Sequence, residues 1–543
     1  MENQVKKVID LINNNIPESN ELFLSLGNPK IKAEVTQFKK PRYFQNDIMK
    51  QIQRFKSKTG ELPEWVRIDA VTGREKILYD DLKLEMESIR RNYIPFGMSL
   101  DGSSTMTFLP EEINANAFLK PTGEKSFIEL SESNINAYLK RTRKSKRAFR
   151  HRMFYGKTVE KFTTAGFFID DDVVFELVGE GMDRGLRKVK NIHDELDQLI
   201  TTSTEFLASE IKDNGKFIYG YFSHFDREIN FYNNLRHASS TYAMIEGLKY
   251  LNRSVTVARK PINYLIKNKL IKRDDDTYFV YDDTNDMNEI KLGQNAAFIL
   301  ALTEYLTVED AKQYLTVAQK LANGILYMID FDKLETTHVL HYPSLALKQK
   351  YRIIYYDGEA ALALLRLYQI DGNEKWLNAV KKLFEMFIKK DYWKHHDHWL
   401  GYCTNELVKV SPEAKYIEFG LKNTSGHLEF IYNRETTFPT FLELLMSTYY
   451  LVETAREQGF NDVVDKNIDV DRLVETIHRR ADYERIGYFY PEVAMFFKNP
   501  ERILGSFFIK HHGYRVRIDD VEHYISGLVH YQKAFKGKKK QYI

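Results

Sequence analysis

The spacing of hydrophobic residues changes once along the chain, near residue 190. Before that point, short alternating runs are set between short helical stretches. Glu64–Val71 (EWVRIDAV) alternates and predicts a strand, while Met1–Asn15 and Asp80–Arg91 predict helices. Phe96–Leu100 and Met106–Leu109 predict strands around an Asp101-Gly102-Ser103 turn, and Phe167–Val178 reads as mixed strand. This pattern predicts a smaller α+β domain over residues 1–188. From Val189 onward the period is helical: Val189–Ile211 predicts a long amphipathic helix, and only Lys216–Phe222 (KFIYGYF) alternates.

A single unit recurs through this helical region, and its clearest copy is Tyr355–Leu377 (YYDGEAALALLRLYQIDGNEKWL). Ala361, Leu364, Leu365 and Tyr368 have the spacing of a buried helical stripe, Asp371-Gly372-Asn373 is a turn, and Trp376 opens a second helix. Similar openings begin at Leu235, Leu292, Asp397, Asn433 and Asp519, each with polar residues first, small residues next and an apolar stripe after. That makes six hairpins. Small residues in the first helices permit close packing around an axis, which predicts a closed ring over residues 189–543. The six first helices would form an inner barrel, their partners an outer one, and all inner N-termini would open on one mouth.

Composition removes several classes of function. With 79 Lys plus Arg against 76 Asp plus Glu the net charge is only +3, so no global field calls for nucleic acid. The single Cys403 cannot form an intrachain disulfide or a cysteine-built zinc site. No run reaches the roughly 18 apolar residues of a membrane span, and the first residues lack a signal-peptide core, so a cytoplasmic protein is expected. Lys140–Arg152 holds eight Lys or Arg in thirteen positions; it could meet phosphates, but a solvated helix face is the simpler reading. No P-loop, dinucleotide-binding glycine turn or G-x-S-x-G elbow occurs, so no cofactor is expected. Lys394-His395-His396-Asp397-His398 invites a metal reading, but contiguous side chains diverge, so no metal is expected either. The sequence gives no reading of oligomeric state.

The segments NLRHASSTYAMIEGL, LGQNAAFILAL, YYDGEAALALLRLYQIDGNEKWL and RIDDVEHYISGL resemble the (α/α)6 toroid superfamily over about Val189 to Phe535. That superfamily includes six-hairpin glycosidases, unsaturated glucuronyl hydrolases and sugar epimerases. The resemblance implies a carbohydrate ligand and a mainly α fold, a C-terminal (α/α)6 toroid preceded by the α+β domain. It assigns no single family.

The expected mouth then supplies candidate chemistry. Glycoside hydrolysis needs two carboxyl groups across a sugar ring, and Glu359 with Asp520, Asp519 or Asp357 could provide them. Helix N-capping is the competing role for each Asp. Epimerisation needs groups that titrate near neutrality, and His237, His398 and His523 stand at inner-helix starts. Arg236, Arg434 and Arg517 could hold an anionic sugar. Gln294, Asn295 and Glu435 would add polar contacts, and Tyr356, Trp399 and Tyr402 could stack on a sugar ring. Hydrolysis of an anionic glycan or surface-polymer intermediate is the leading expectation. Epimerisation on the same fold and noncatalytic glycan binding are the alternatives.

Overall fold

The computed structural model describes residues 1–39, 44–89, 92–121 and 128–538. The chain forms two compact units. The first comprises Met1–Asn191 together with Tyr221–Glu228 and Arg485–Val516; the second comprises the remainder.

The first unit is built on an antiparallel sheet. Its strands are β1 (Glu21–Asn28), β2 (Ile31–Lys39), β3 (Trp65–Leu78), β4 (Gly97–Ser99), β5 (Thr107–Phe108), β6 (Thr158–Asp170) and β7 (Val173–Glu176), in the order β2-β1-β3-β6-β4-β5 with β7 beside β6. In register, Leu24 faces Thr36 on one side and Ile68 on the other, and Ile68 faces Phe167. The helices Glu2–Asn15 and Phe44–Thr59 cover one face, where Val5, Val8, Ile12, Ile48, Ile52 and Phe55 meet Leu22, Leu24, Ile68 and Ala70. On β3 the residues that alternate with this set are Arg67 and Asp69, buried and ion-paired at 2.9 Å. Burial on both faces explains why β1, with all eight positions inside, lacks the alternation that betrays a half-exposed strand.

The basic run is largely solvated, as expected, but only its first two residues are α-helical. The helix Glu132–Arg141 ends within it, and the following arginines are taken up locally: Arg143 pairs with Glu112, Arg147 with Asp101 and Arg150 with Glu132. Phe149, in the same run, is fully buried.

The second unit is an (α/α)6 toroid. Twelve helices alternate along the chain: α1 (Ile192–Ser209), α2 (Asn234–Tyr250), α3 (Arg259–Asn268), α4 (Leu292–Leu306), α5 (Lys312–Tyr327), α6 (Tyr356–Asp371), α7 (Glu374–Lys389), α8 (His398–Val410), α9 (Ala414–Ser425), α10 (Thr440–Glu457), α11 (Val470–Tyr483) and α12 (Ile518–Phe535). The even-numbered helices touch in sequence, and α12 returns to α2, closing the inner barrel. The odd-numbered helices lie outside. The outer partner of α12 is α1, which packs on both α12 and α2, so the ring closes between helices far apart in sequence. There Gln532 Nε2 donates to Asp197 Oδ1 (2.6 Å) and to the His193 carbonyl (2.7 Å).

Inner helices have neighbours on every side, and their sequences show it. On α6 not only Ala361, Leu364 and Leu365 but also Ala360, Leu362, Ala363 and Leu367 are fully buried, whereas the predicted stripe residue Tyr368 is only half-buried. Each such leucine contributes roughly 1.5–3 kcal/mol of burial. Outer helices such as α7 keep a polar face, with Trp376, Leu377, Val380, Phe384 and Phe387 turned inward. The turn after α6 is as predicted, Gly372 taking a left-handed φ of 67°.

Glycine sets the closest inner contacts. A Cβ on Gly293 would lie 2.0 Å from Glu359 Oε2, and one on Gly358 would lie 2.0 Å from Asp397 Oδ2 and 3.0 Å from the Leu400 backbone nitrogen. Gly358→Ala should therefore push α6 from α8 and destabilise the protein by ~1–3 kcal/mol. Urea unfolding measures this, and a variant within 0.5 kcal/mol (roughly the scatter of a neutral surface change) would contradict the close approach.

Candidate active site

The inner helices meet at their N-terminal turns. Arg236 on α2 lies 3.4 Å from Asp519 on α12, and Glu443 on α10 bridges toward α12 and α8, 2.8 Å from His523 Nδ1 and 3.7 Å from His398 Nε2. The Gly293 and Gly358 contacts join α4 to α6 and α6 to Asp397, the N-cap of α8. Five of the six helices thus bring charged or titratable groups to one end of the barrel, and α4 brings Gln294.

On α12, Asp520 receives Arg517 bidentately (3.0 and 2.7 Å), Asp519 lies 3.2 Å from the same guanidinium, and Glu522 accepts from Ser239 Oγ at 2.5 Å. Arg236 and Arg517 are the more open groups, with side chains 36% and 25% exposed, while Asp519 is 3% exposed. Arg236 also acts electrostatically on Glu359.

Burial dominates the protonation of this set. It pushes Glu359 up to about 8, with Arg236 opposing and Asp357 reinforcing. It pushes Glu522 up to about 8 against the pull of His523, Ser239 and Arg236, and drives Asp397 and Glu443 well above the carboxylate range. The same burial lowers His398 and His523, helped for His398 by the neighbouring His523. Near neutral pH the mouth therefore holds uncharged imidazoles beside protonated carboxyls. Their rings meet edge to face at 5.3 Å. Unclaimed hydrogen-bonding atoms gather here as well: Glu359 Oε2, Asp397 Oδ2, His398 Nε2, Glu522 Oε1 and both amide atoms of the fully buried Gln294 have no hydrogen-bond partner among the described residues.

A sign follows for stability. Between about pH 4.5 and 8 an unfolded glutamate ionises while folded Glu359 keeps its proton, so this residue costs the wild type stability progressively across that window. Glu359→Gln should gain on the wild type as pH rises from 4.5 to 8 and level off above. Denaturant midpoints at pH 5, 6.5 and 8 check this, and a constant difference would show that Glu359 titrates normally.

The remaining expected residues fall into two groups. Asp357 is not an N-cap: it sits one residue inside α6, whose N-cap is Tyr355. His338 Nδ1 accepts the Arg352 N–H (2.9 Å), so its Nε2 carries a proton and faces Asp357 Oδ2 at 3.2 Å. Tyr356 stands beside His338, and Trp399 lies beside both His398 and His523. Tyr402 lies deeper, against His530 at 4.9 Å.

His237, Asn295, Arg434 and Glu435 do not join them. His237 is fully buried, its Nε2 donating to the Pro261 carbonyl (2.9 Å) and its Nδ1 accepting from the Tyr232 hydroxyl (2.6 Å), which fixes a packing role. Asn295 is spent on the Val280 N–H and the Lys291 carbonyl. Arg434 and Glu435 precede α10, which begins at Thr440 rather than Asn433. Arg434 lies over Phe430 and Phe438 and donates to Thr436.

The sequence reading missed Glu443, Glu522 and His338. Pro439 at the N-cap of α10 was the available signal for Glu443. His396 of the histidine run turns away to the Asn423 carbonyl and stacks on His427. His398, Glu443 and His523 offer three ligand atoms within 4.8 Å of one another, a spacing that could hold a metal ion.

This architecture defines the second unit as an (α/α)6 toroid with its titratable groups gathered at the inner-helix N-termini. Solved structures with a similar fold include cellobiose 2-epimerase from Bacillus thermoamylovorans B4167, at 12% identity and a TM-score of 0.49 over 64% of this chain and 100% of that one. They also include a D-mannose isomerase (12%, 0.47, 63% and 98%) and the α-1,6-mannanase of Salegentibacter sp. HEL1_6 (12%, 0.42, 63% and 98%). No family model and no curated protein matches the sequence.

Proposed function

We propose that the toroid mouth is an acid–base site acting on a carbohydrate, and that it moves a proton at the carbon beside a sugar carbonyl, isomerising or epimerising the sugar. The observation that carries this reading is the pair His398 and His523, two uncharged imidazoles 5.3 Å apart with Glu443 against both. Taking a proton from carbon needs a base with a free lone pair, and returning it to carbon or oxygen needs an acid beside it. One imidazole takes the proton from carbon and becomes imidazolium, the protonated Glu443 gives its own proton to the resulting enediol, and the imidazolium then reprotonates Glu443. Glu359, protonated near neutrality, donates a hydrogen bond to the sugar oxygen where charge develops. Arg236 and Arg517, the open cations, favour a substrate carrying a carboxylate or phosphate.

Hydrolysis has its own supporting observation. Glu359 is a buried carboxyl pushed up to about 8 with Oε2 unclaimed, the state required of a general acid at a glycosidic oxygen. One experiment separates the readings: reducing sugars and uronates are incubated with the protein in heavy water and followed by NMR. Exchange at the carbon beside the carbonyl, with a new isomer, supports proton transfer and should persist in EDTA. Bond cleavage without exchange selects hydrolysis, loss of activity in EDTA assigns the trio to a metal, and binding without turnover selects a glycan receptor.

A further inference from the structure

Outside the toroid, the first unit contains a cleft, open to solvent, with about 70 Å³ accessible to a water-sized molecule. Its described lining is unusual in charge: Arg67, Arg184, Arg485 and Lys510 against a single carboxylate, Glu111. Tyr488, Phe497 and Phe508 add aromatic wall. Arg67 is largely used, its Nε and Nη2 on Asp69, Nη2 also on Glu111 and Nη1 on the Glu492 carbonyl.

Arg184 is different. Its Nη1 lies 3.2 Å from Glu111 Oε1 and its Nη2 donates to Thr164 Oγ1 at 3.2 Å, but its Nε, buried, has no hydrogen-bond partner among the described residues. Glu111 Oε2 is likewise buried and without a partner. Burial would raise this carboxyl, yet Arg67 and Arg184 hold it down at about 2, so it stays an acceptor at any physiological pH. The cleft thus holds a donor from a guanidinium with spare N–H groups and, on the carboxylate paired with it, an acceptor awaiting a donor. A buried unmatched donor and acceptor each destabilise the fold, and a ligand that satisfies both recovers that cost.

We infer that this cleft binds a small polyhydroxylated oxyanion, such as a sugar phosphate or sugar acid. Its oxyanion lies on Arg184 within the positive lining, a hydroxyl donates to Glu111 Oε2, and its carbon face rests on the aromatic wall. A neutral sugar offers Arg184 only a hydroxyl oxygen, without the charge that strengthens the bond, and inorganic phosphate offers the aromatic wall no carbon face. The inference is independent of the chemistry at the toroid mouth.

Isothermal titration with glucose 6-phosphate, glucuronate, inorganic phosphate and glucose tests it. Glucose 6-phosphate or glucuronate should bind saturably and at least tenfold more tightly than either phosphate or glucose alone. Which of the two binds better decides between phosphate and carboxylate. Arg184→Gln and Glu111→Gln should each weaken that binding roughly 10- to 100-fold, the size of a lost charge-assisted hydrogen bond. Glu359→Gln, in the toroid, should leave it unchanged. If Arg184→Gln fails to fold, Lys510→Gln at the half-buried rim provides the same comparison. Binding that survives both cleft variants, is lost in Glu359→Gln, or is absent for all four probes overturns the inference.

Discussion

His523→Asn should lower turnover by roughly 10² to 10⁴, the contribution of one positioned proton-transfer group, while sugar affinity stays within a few-fold of wild type. The asparagine keeps a polar side chain against Glu443 but removes the ring nitrogen that now lies 2.8 Å from it. The two outcomes must be read on the same folded protein, once the heavy-water experiment has supplied a substrate. A variant that exchanges the substrate proton at the wild-type rate would remove His523 from the reaction and leave His398 as the base. Because burial lowers both imidazoles, His398 the more, wild-type activity should persist below the usual histidine range. It should fall as pH rises past about 8, when Glu359 ionises and stops donating.

Arg480→Leu should cost about 3–5 kcal/mol, because three buried carbonyls lose a donor at ~1–3 kcal/mol apiece. Arg480, 1% exposed, donates from Nη1 to the Arg434 carbonyl (2.9 Å) and from Nη2 to the carbonyls of Thr436 (3.3 Å) and Thr437. It also supplies the positive charge that partly offsets the buried Glu484, whose carboxyl burial already drives well up. The leucine fills the space, but three carbonyls lose a donor and Glu484 loses its counter-charge. Chemical denaturation reads the loss, and a cost below 1 kcal/mol would mean that Arg480 only fills space. Within the folded variant the Arg434–Phe438 segment should gain amide hydrogen exchange.

The ring was legible in the sequence because every inner helix obeys the same constraints. Each must start with polar groups at an open end, stay small where backbones converge and be apolar where it is enclosed, so six unrelated stretches carry one texture. The direction a given side chain faces was not legible. His237 and Glu359 are both the fourth residue of their helices, yet one turns outward to Pro261 and the other into the mouth. Adjacent helix positions differ by about 100°, so the rotation of each helix about its own axis decides, and only the packing of its neighbours sets that. Misplacing the start of α10 at Asn433 offered Arg434 and Glu435 in place of Glu443, which sits one turn after Pro439. His338 lies outside the helices altogether, in a segment whose composition carries no sign of its contact with Asp357. In the first unit, strand β1 escaped because it is enclosed on both faces and offers no alternation, whereas β2, where Ile31, Ala33 and Val35 alternate with Lys32, Glu34 and Thr36, carried a legible signal that was passed over.

The junction at which α12 returns to α1 and α2 sets an order of events during synthesis. As the chain leaves the ribosome, eleven of the twelve helices emerge before the last wall segment exists, and the barrel waits as an open arc with apolar edges on α1, α2 and α10. That last segment also carries Asp519, Asp520, Glu522 and His523, so the titratable cluster at the mouth and the wall are completed by the same helix. A nascent toroid therefore has neither its full wall nor its full polar mouth until Gln532 reaches Asp197.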